Sequence, residues 1–161
     1  GRNANLLEDA FKFAKMGGTI DLTCGESESK FHSVADAVKK AKKEGVPMEK
    51  LTMSSDGQGS WSNYDAEGKL VEIGVSDVDT IYRQIVYMVK EENMDFEELL
   101  ALGTKNPAMA LELYPKKGAV KEESDADILI MNEDLSLDTV IAMGVPMMRD
   151  GKILKKGTYE K

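Results

Sequence analysis

Asp56 is the residue of this sequence best placed to do chemistry, within the stretch Leu51-Thr52-Met53-Ser54-Ser55-Asp56-Gly57-Gln58-Gly59-Ser60. The apolar residues Leu51 and Met53 read as the end of a buried strand. That strand breaks into a turn holding two glycines, with Ser60 beyond them. Asp-Gly pairs often mark plain turns, because both residues tolerate turn dihedrals. Here the turn follows a helix-then-strand pattern, which sets Asp56 at the C-terminal mouth of a parallel sheet, where α/β folds hold their chemistry. A carboxylate in that place can ligate a metal or take a proton from an attacking water. Read by themselves, these residues leave both a turn and a site open.

The other reactive residue types are sparse. The single histidine, His32, reads as a solvated loop residue beside Phe31, and a zinc site needs three or four ligands. Asp21, inside a strand, either faces the mouth or is a packed, hydrogen-bonded carboxylate. Cys24 has no base beside it in sequence and reads as a small buried side chain. Arg2, just before the first helix, is either a surface arginine or an anion-binding one in a strand-to-helix loop.

Elements that position these residues can be read from periodicity. Residues 5–16 carry an apolar stripe of Leu6, Leu7, Ala10, Phe13 and Ala14, with Asn5 as cap and Gly17-Gly18 as stop. Residues 19–24 read as a strand, 25–32 as a polar loop, and 33–44 as a helix whose Lys39, Lys40, Lys42 and Lys43 form a solvated face. The order helix, strand, helix, strand predicts a parallel α/β layer. After Ser60 come a polar loop over 61–68 with a turn at Asp65–Gly68, a helix over 77–92 capped by Asp77, a second helix from Asp95, and a third over 107–113. Beyond Gly118 the recurring unit is a strand: a buried apolar run at 127–131, another at 137–143, and a hairpin around Asp150-Gly151.

The bulk properties set limits. With 161 residues, 42% hydrophobic and 31% charged, the chain has the composition of a soluble globular protein. One cysteine excludes an intrachain disulfide and fits a reducing, cytoplasmic setting. A net charge of −8 disfavours nucleic acid as a partner, and the sequence holds no apolar run long enough to span a membrane.

Several motifs together resemble one family. Gly17-Gly-Thr-Ile-Asp-Leu-Thr23, the Leu51–Ser60 stretch, Ile73-Gly-Val75, Thr104-Lys-Asn-Pro-Ala108, the segment from Gly118 to Ile130 and Met148-Arg-Asp-Gly-Lys-Ile153 are similar to the last part of the isoaspartyl dipeptidases of the amidohydrolase superfamily. The resemblance implies the C-terminal portion of a (β/α)8 TIM-like barrel over 1–114, then strands of a small β-sandwich domain over 115–161. It implies zinc-dependent hydrolysis of the β-aspartyl peptide bond of isoaspartyl dipeptides by a metal-activated hydroxide, with two Zn2+ per site in the complete enzyme. On this sequence it makes Asp56 a metal ligand and proton shuttle. Arg2 and Ser60 become substrate-binding residues, and Gly57 and Gly59 shape the turn. The family's small dipeptide substrate and its homo-oligomeric state carry over as further expectations.

The sequence also departs from that family. Its paired histidines, its acidic or carboxylated-lysine bridge and its later metal-binding histidines are not in these residues, and Glu123 stands on a turn where a glycine is usual. The expectation is therefore a C-terminal fragment ending at the natural terminus, inactive and without zinc by itself. Two other readings are another amidohydrolase acting on a small amide or acylated amino acid, and a non-catalytic α/β scaffold that retains the motif.

Overall fold

The computed structural model describes residues 4–25 and 27–157. Helix α1 (Ala4–Lys15) leads to strand β1 (Ile20–Thr23), helix α2 (Glu28–Lys43), a 3-10 turn at Met48–Lys50 and strand β2 (Leu51–Ser54). Strands β1 and β2 pair in parallel. Next come the hairpin β3 (Ser60–Tyr64) and β4 (Leu70–Val75), then α3 (Thr80–Lys90), α4 (Phe96–Gly103) and α5 (Lys105–Ala110). A four-stranded antiparallel sheet closes the chain, in the order β5 (Ile128–Met131), β6 (Leu137–Ala142), β7 (Val145–Arg149) and β8 (Lys152–Ile153). This is an α/β fold with one parallel and two antiparallel sheets, and among the described residues no barrel closes. No described helix is long and apolar enough to cross a membrane.

The core lies between the parallel pair and the helices. Leu22, Leu51 and Met53 from the strands meet Phe11 and Ala14 of α1, Val34, Val38 and Ala41 of α2, Met88 of α3, and Leu99 and Leu102 of α4. α1 buries Phe11 and Ala14, while Leu6 and Phe13 of the expected stripe stay more than half exposed. The helix is apolar over a wide arc, and only one side of that arc is covered. It also begins one residue ahead of Asn5, so Asn5 is not its cap.

Three further expectations change. α2 starts at Glu28 instead of Ser33, because Ser27 caps it by accepting the Lys30 N–H at 3.3 Å. The expected polar loop at 61–68 is a hairpin. Its Asp65–Gly68 turn is real, with Asp65 Oδ1 taking the N–H groups of Glu67 and Lys69, and Trp61 pairs across it with Gly74. A Cβ on Gly74 would fall 2.1 Å from the indole, so glycine is what lets the ring lie flat on the facing strand. Finally, α3 begins at Thr80 with Asp79 at the cap position, and the Asp79 carboxylate takes Arg83 Nε at 3.0 Å instead of a backbone N–H.

The closing sheet follows its turn chemistry. Met143-Gly144 and Asp150-Gly151 have positive φ at both residues (50° and 75°, 52° and 69°), as two-residue hairpin turns require. The apolar run of β5, expected to be buried, leaves Leu129 and Ile130 half exposed.

Candidate active site

The parallel pair has two chemically distinct faces. Its register sets Ile20 beside Leu51 and Leu22 beside Met53, and this side meets the helices. On the other side stand Asp21 beside Thr52 and Thr23 beside Ser54. Asp21 accepts hydrogen bonds from Thr52 Oγ1 at 2.7 Å and from Ser54 Oγ. Asp21 combines parts of both readings: it is hydrogen-bonded, yet it lies exposed and faces the cleft instead of being packed.

Beyond Ser54 the chain turns out of β2. Asp56 and Gln58 adopt left-handed backbones, with φ of 52° and 65°, a conformation aspartate tolerates better than most residues. The turn is tied within itself and to the far end of the hairpin. Gly59 N–H donates to Asp56 O at 2.8 Å, Gln58 N–H to Ser76 O at 2.8 Å, and Ser76 N–H to Gly59 O at 2.9 Å. Gly57 N–H donates to Ser55 Oγ at 3.0 Å. The Asp56 carboxylate lies over Gly59, where a Cβ would fall 2.7 Å from Oδ1. A Cβ on Gly57 would fall 2.8 Å from Val78 Cγ1. Both glycines are thus needed for space.

Asp56 opens onto a cleft of about 340 Å³ between α1, β1 and α2. Asp21, Thr23, Lys30 and Ser33 share its polar lining, and Leu7 and Val34 belong to its apolar wall. The cleft brings Asp56 together with Asp21 and with the cation of Lys30. Ser60 does not line it; this residue begins β3, exposed, paired with Val75. Arg2 lies outside the described residues.

His32 sits on α2 and not in a loop. Its Nδ1 is 2.6 Å from the Tyr87 hydroxyl, which in turn donates to Glu92 at 3.1 Å. Lys39 also binds Glu92, and these bonds, Lys39 first, hold the Glu92 carboxyl below its ordinary range. With Lys42 on Glu98 of α4 at 2.6 Å and Lys40 on Glu8 of α1 at 3.5 Å, three of the four lysines of the expected solvated face pair with carboxylates of neighbouring segments. Cys24 is buried as expected, and burial, with the Asp21 charge second, pushes its thiol up to about 12. Such a thiol is no nucleophile.

Among the described residues, no group of three or more His, Cys, Asp or Glu side chains is disposed to hold a metal ion. Asp56 and Asp21 are the carboxylates of the cleft, and His32 is committed elsewhere. The described donors do not fit a zinc centre.

Two structural residues escaped sequence reasoning. Asn106 is buried, and its amide donates to Met48 O at 2.9 Å and Leu51 O at 2.8 Å, fixing the entry to β2. Asp127 accepts the Met143 N–H at 2.7 Å and binds Lys117, clamping the β6–β7 turn to the linker before β5. The Asn-Pro-Ala and Ala-Asp motifs were the signals for both, without revealing what each side chain holds.

A sequence profile of the amidohydrolase family matches residues 4–154. The chain is similar to the β-aspartyl dipeptidase of Fervidobacterium islandicum AW-1, solved in complex with a β-Asp-Leu dipeptide. Identity is 34% and the TM-score 0.82, over 99% of this chain and 41% of that one. A second structure of that organism's β-aspartyl dipeptidase aligns at 31% identity and TM-score 0.76, covering 99% and 38%. The N-acetylglucosamine-6-phosphate deacetylase of Pasteurella multocida, 19% identical with a TM-score of 0.55 over 71% of this chain and 34% of its own, shares the fold. The chain spans about two-fifths of the length of the dipeptidases it matches.

Proposed function

From the premise that this chain belongs to the amidohydrolase family and is related to β-aspartyl dipeptidase, we propose that it forms part of an enzyme hydrolysing the β-aspartyl bond of isoaspartyl dipeptides. The observation that carries the reading is the Asp56 carboxylate. It is held over Gly59 at the exit of β2 and opens onto the cleft. In this reading Asp56 accepts the proton of the attacking water and returns it to the leaving amine. Ser60 and Arg2 hold the two ends of the substrate, and Gly57 and Gly59 keep the turn narrow. Asp56 is also this chain's contribution to the zinc centre that the family implies. Because the described donors do not build that centre, the chain by itself holds no stoichiometric zinc and turns over no substrate.

The test uses the full-length protein with freshly purified Asp56→Asn, assayed on a β-aspartyl dipeptide. Loss of a positioned acid–base group lowers the rate by about 10²- to 10⁴-fold, with thermal unfolding unchanged. Turnover close to wild type would remove Asp56 from the mechanism. For the 161-residue chain alone, a metal content near one zinc per chain, or measurable turnover, would overturn the fragment reading. Preference of the full-length protein for an acylated amino acid over the dipeptide would shift the assignment to another amidohydrolase.

A further inference from the structure

Asp56 is followed by glycine, and Asp-Gly is the dipeptide at which an aspartate most readily rearranges, since glycine leaves its amide nitrogen unshielded. Asp56 and Gly57 are both exposed, so water reaches the bond. We propose that Asp56-Gly57 is a latent isoaspartate-forming site, and that the Ser55 hydroxyl is the brake that keeps it closed.

The chemistry is a rearrangement with no net change in composition. The Gly57 amide nitrogen attacks Cγ of Asp56. The N–Cγ bond forms and the bond from Cγ to its hydroxyl oxygen breaks. One water leaves with that oxygen and the amide hydrogen, giving a five-membered succinimide. Water then adds to one ring carbonyl. Opening at the backbone carbonyl leaves the chain running through the aspartyl side chain, as a β-linked isoaspartyl residue.

Two features oppose the first step. Gly57 N–H donates to Ser55 Oγ at 3.0 Å, which holds its hydrogen and orients the nitrogen. The Asp56 carboxylate lies over Gly59 and must leave that position to meet the Gly57 nitrogen. Asp150-Gly151 supplies a reference within the same molecule. It is also exposed and left-handed at both residues, but its Gly151 N–H is held at 2.9 Å by the backbone oxygen of Asp138, independently of any hydroxyl.

The experiment strips metal from full-length wild type, Ser55→Ala and Ser55→Thr with a chelator, ages them side by side and measures isoaspartate at positions 56 and 150 by peptide mapping with electron-based fragmentation. Isoaspartate at 56 is expected to accumulate about fivefold faster in Ser55→Ala, the worth of one neutral hydrogen bond. Ser55→Thr, which keeps the hydroxyl, stays at the wild-type rate, and position 150 is the same in all three. Equal rates at 56 in wild type and Ser55→Ala would overturn the proposal. So would a parallel rise in Ser55→Thr, or a rise at 150 in Ser55→Ala, since either would reflect general loosening. Removing the metal frees the Asp56 carboxylate from the zinc role proposed for it, and the readout is chemical, so either idea can fail without the other.

Discussion

Glu123 adopts φ of 69° at the third position of the turn from Lys121 to Ser124, which is closed by Ser124 N–H to Lys121 O at 3.1 Å. A positive φ there is the type II pattern, which calls for glycine. The family's usual glycine thus has a backbone reason, and Glu123 bears a conformational cost. Glu123→Gly is expected to raise stability by about 0.5–1 kcal/mol, the left-handed penalty less the added freedom of the unfolded chain, read from urea midpoints. Asp127 gives a pH-dependent counterpart. Lys117, then the Met143 N–H, holds its carboxyl below the ordinary range. Its contribution is fully present above the unfolded pKa of about 3.9 and is lost as pH falls through the lower folded value. Asp127→Ala should cost about 1 kcal/mol at neutral pH, modest because the pair is partly exposed. Urea titrations at neutral and strongly acidic pH should show that difference shrinking in acid. At this scale the place of Asp56, in a turn at the exit of a strand, could be read from the residues around it. The clamp made by Asp127 could not, because its partner Met143 is distant in sequence.

Elements with a strong local signal were legible: α1, β1, β2, α3 and the Asp150-Gly151 hairpin all follow from periodicity and turn residues. The start of α2 was not, because residues 28–32, polar apart from Phe31, hide a helical turn that depends on the Ser27 cap and on Tyr87 bonding to His32. The β3–β4 hairpin was hidden as well. Ser60 to Tyr64 alternates weakly, and its strand character comes from its partner, from Trp61 on Gly74 to Tyr64 beside Leu70. Asn106 shows how one side chain sets an element's position: it binds the carbonyls at both ends of the short 48–51 segment leading into β2. Asn106→Ala should cost about 2–3 kcal/mol, because two hydrogen bonds vanish and the Leu51 carbonyl loses its partner in a buried setting. Thermal melts would measure that loss, and amide exchange should rise first around Leu51.

The molecule as a whole is unevenly consolidated. Among the described residues the main core runs from Phe11 to Leu102, whereas the β5–β8 sheet holds one buried residue, Thr139. Tyr82 reaches across from α3 to the Leu135 carbonyl at 2.9 Å, a polar link and not an apolar seam. Native-state hydrogen exchange in the 161-residue chain should therefore show the 128–153 amides opening at lower free energy than those of α2 and β2; equal protection would contradict this division. The α/β class and the late change to antiparallel strands were readable from the order of elements. How far each sheet is covered was not, because coverage depends on neighbours that periodicity does not name. The hairpin beside Asp56 carries one more consequence. Most of its residues are exposed, and its base is stapled by Ser76 to Gln58 and Gly59. Its tip at Asp65–Gly68 stands six residues from that staple along β3 and eight along β4, on the order of 20 Å away. The tip is therefore a handle. An affinity tag or a reporter inserted between Ala66 and Glu67 can be carried there while the staple holds the Asp56 turn in place.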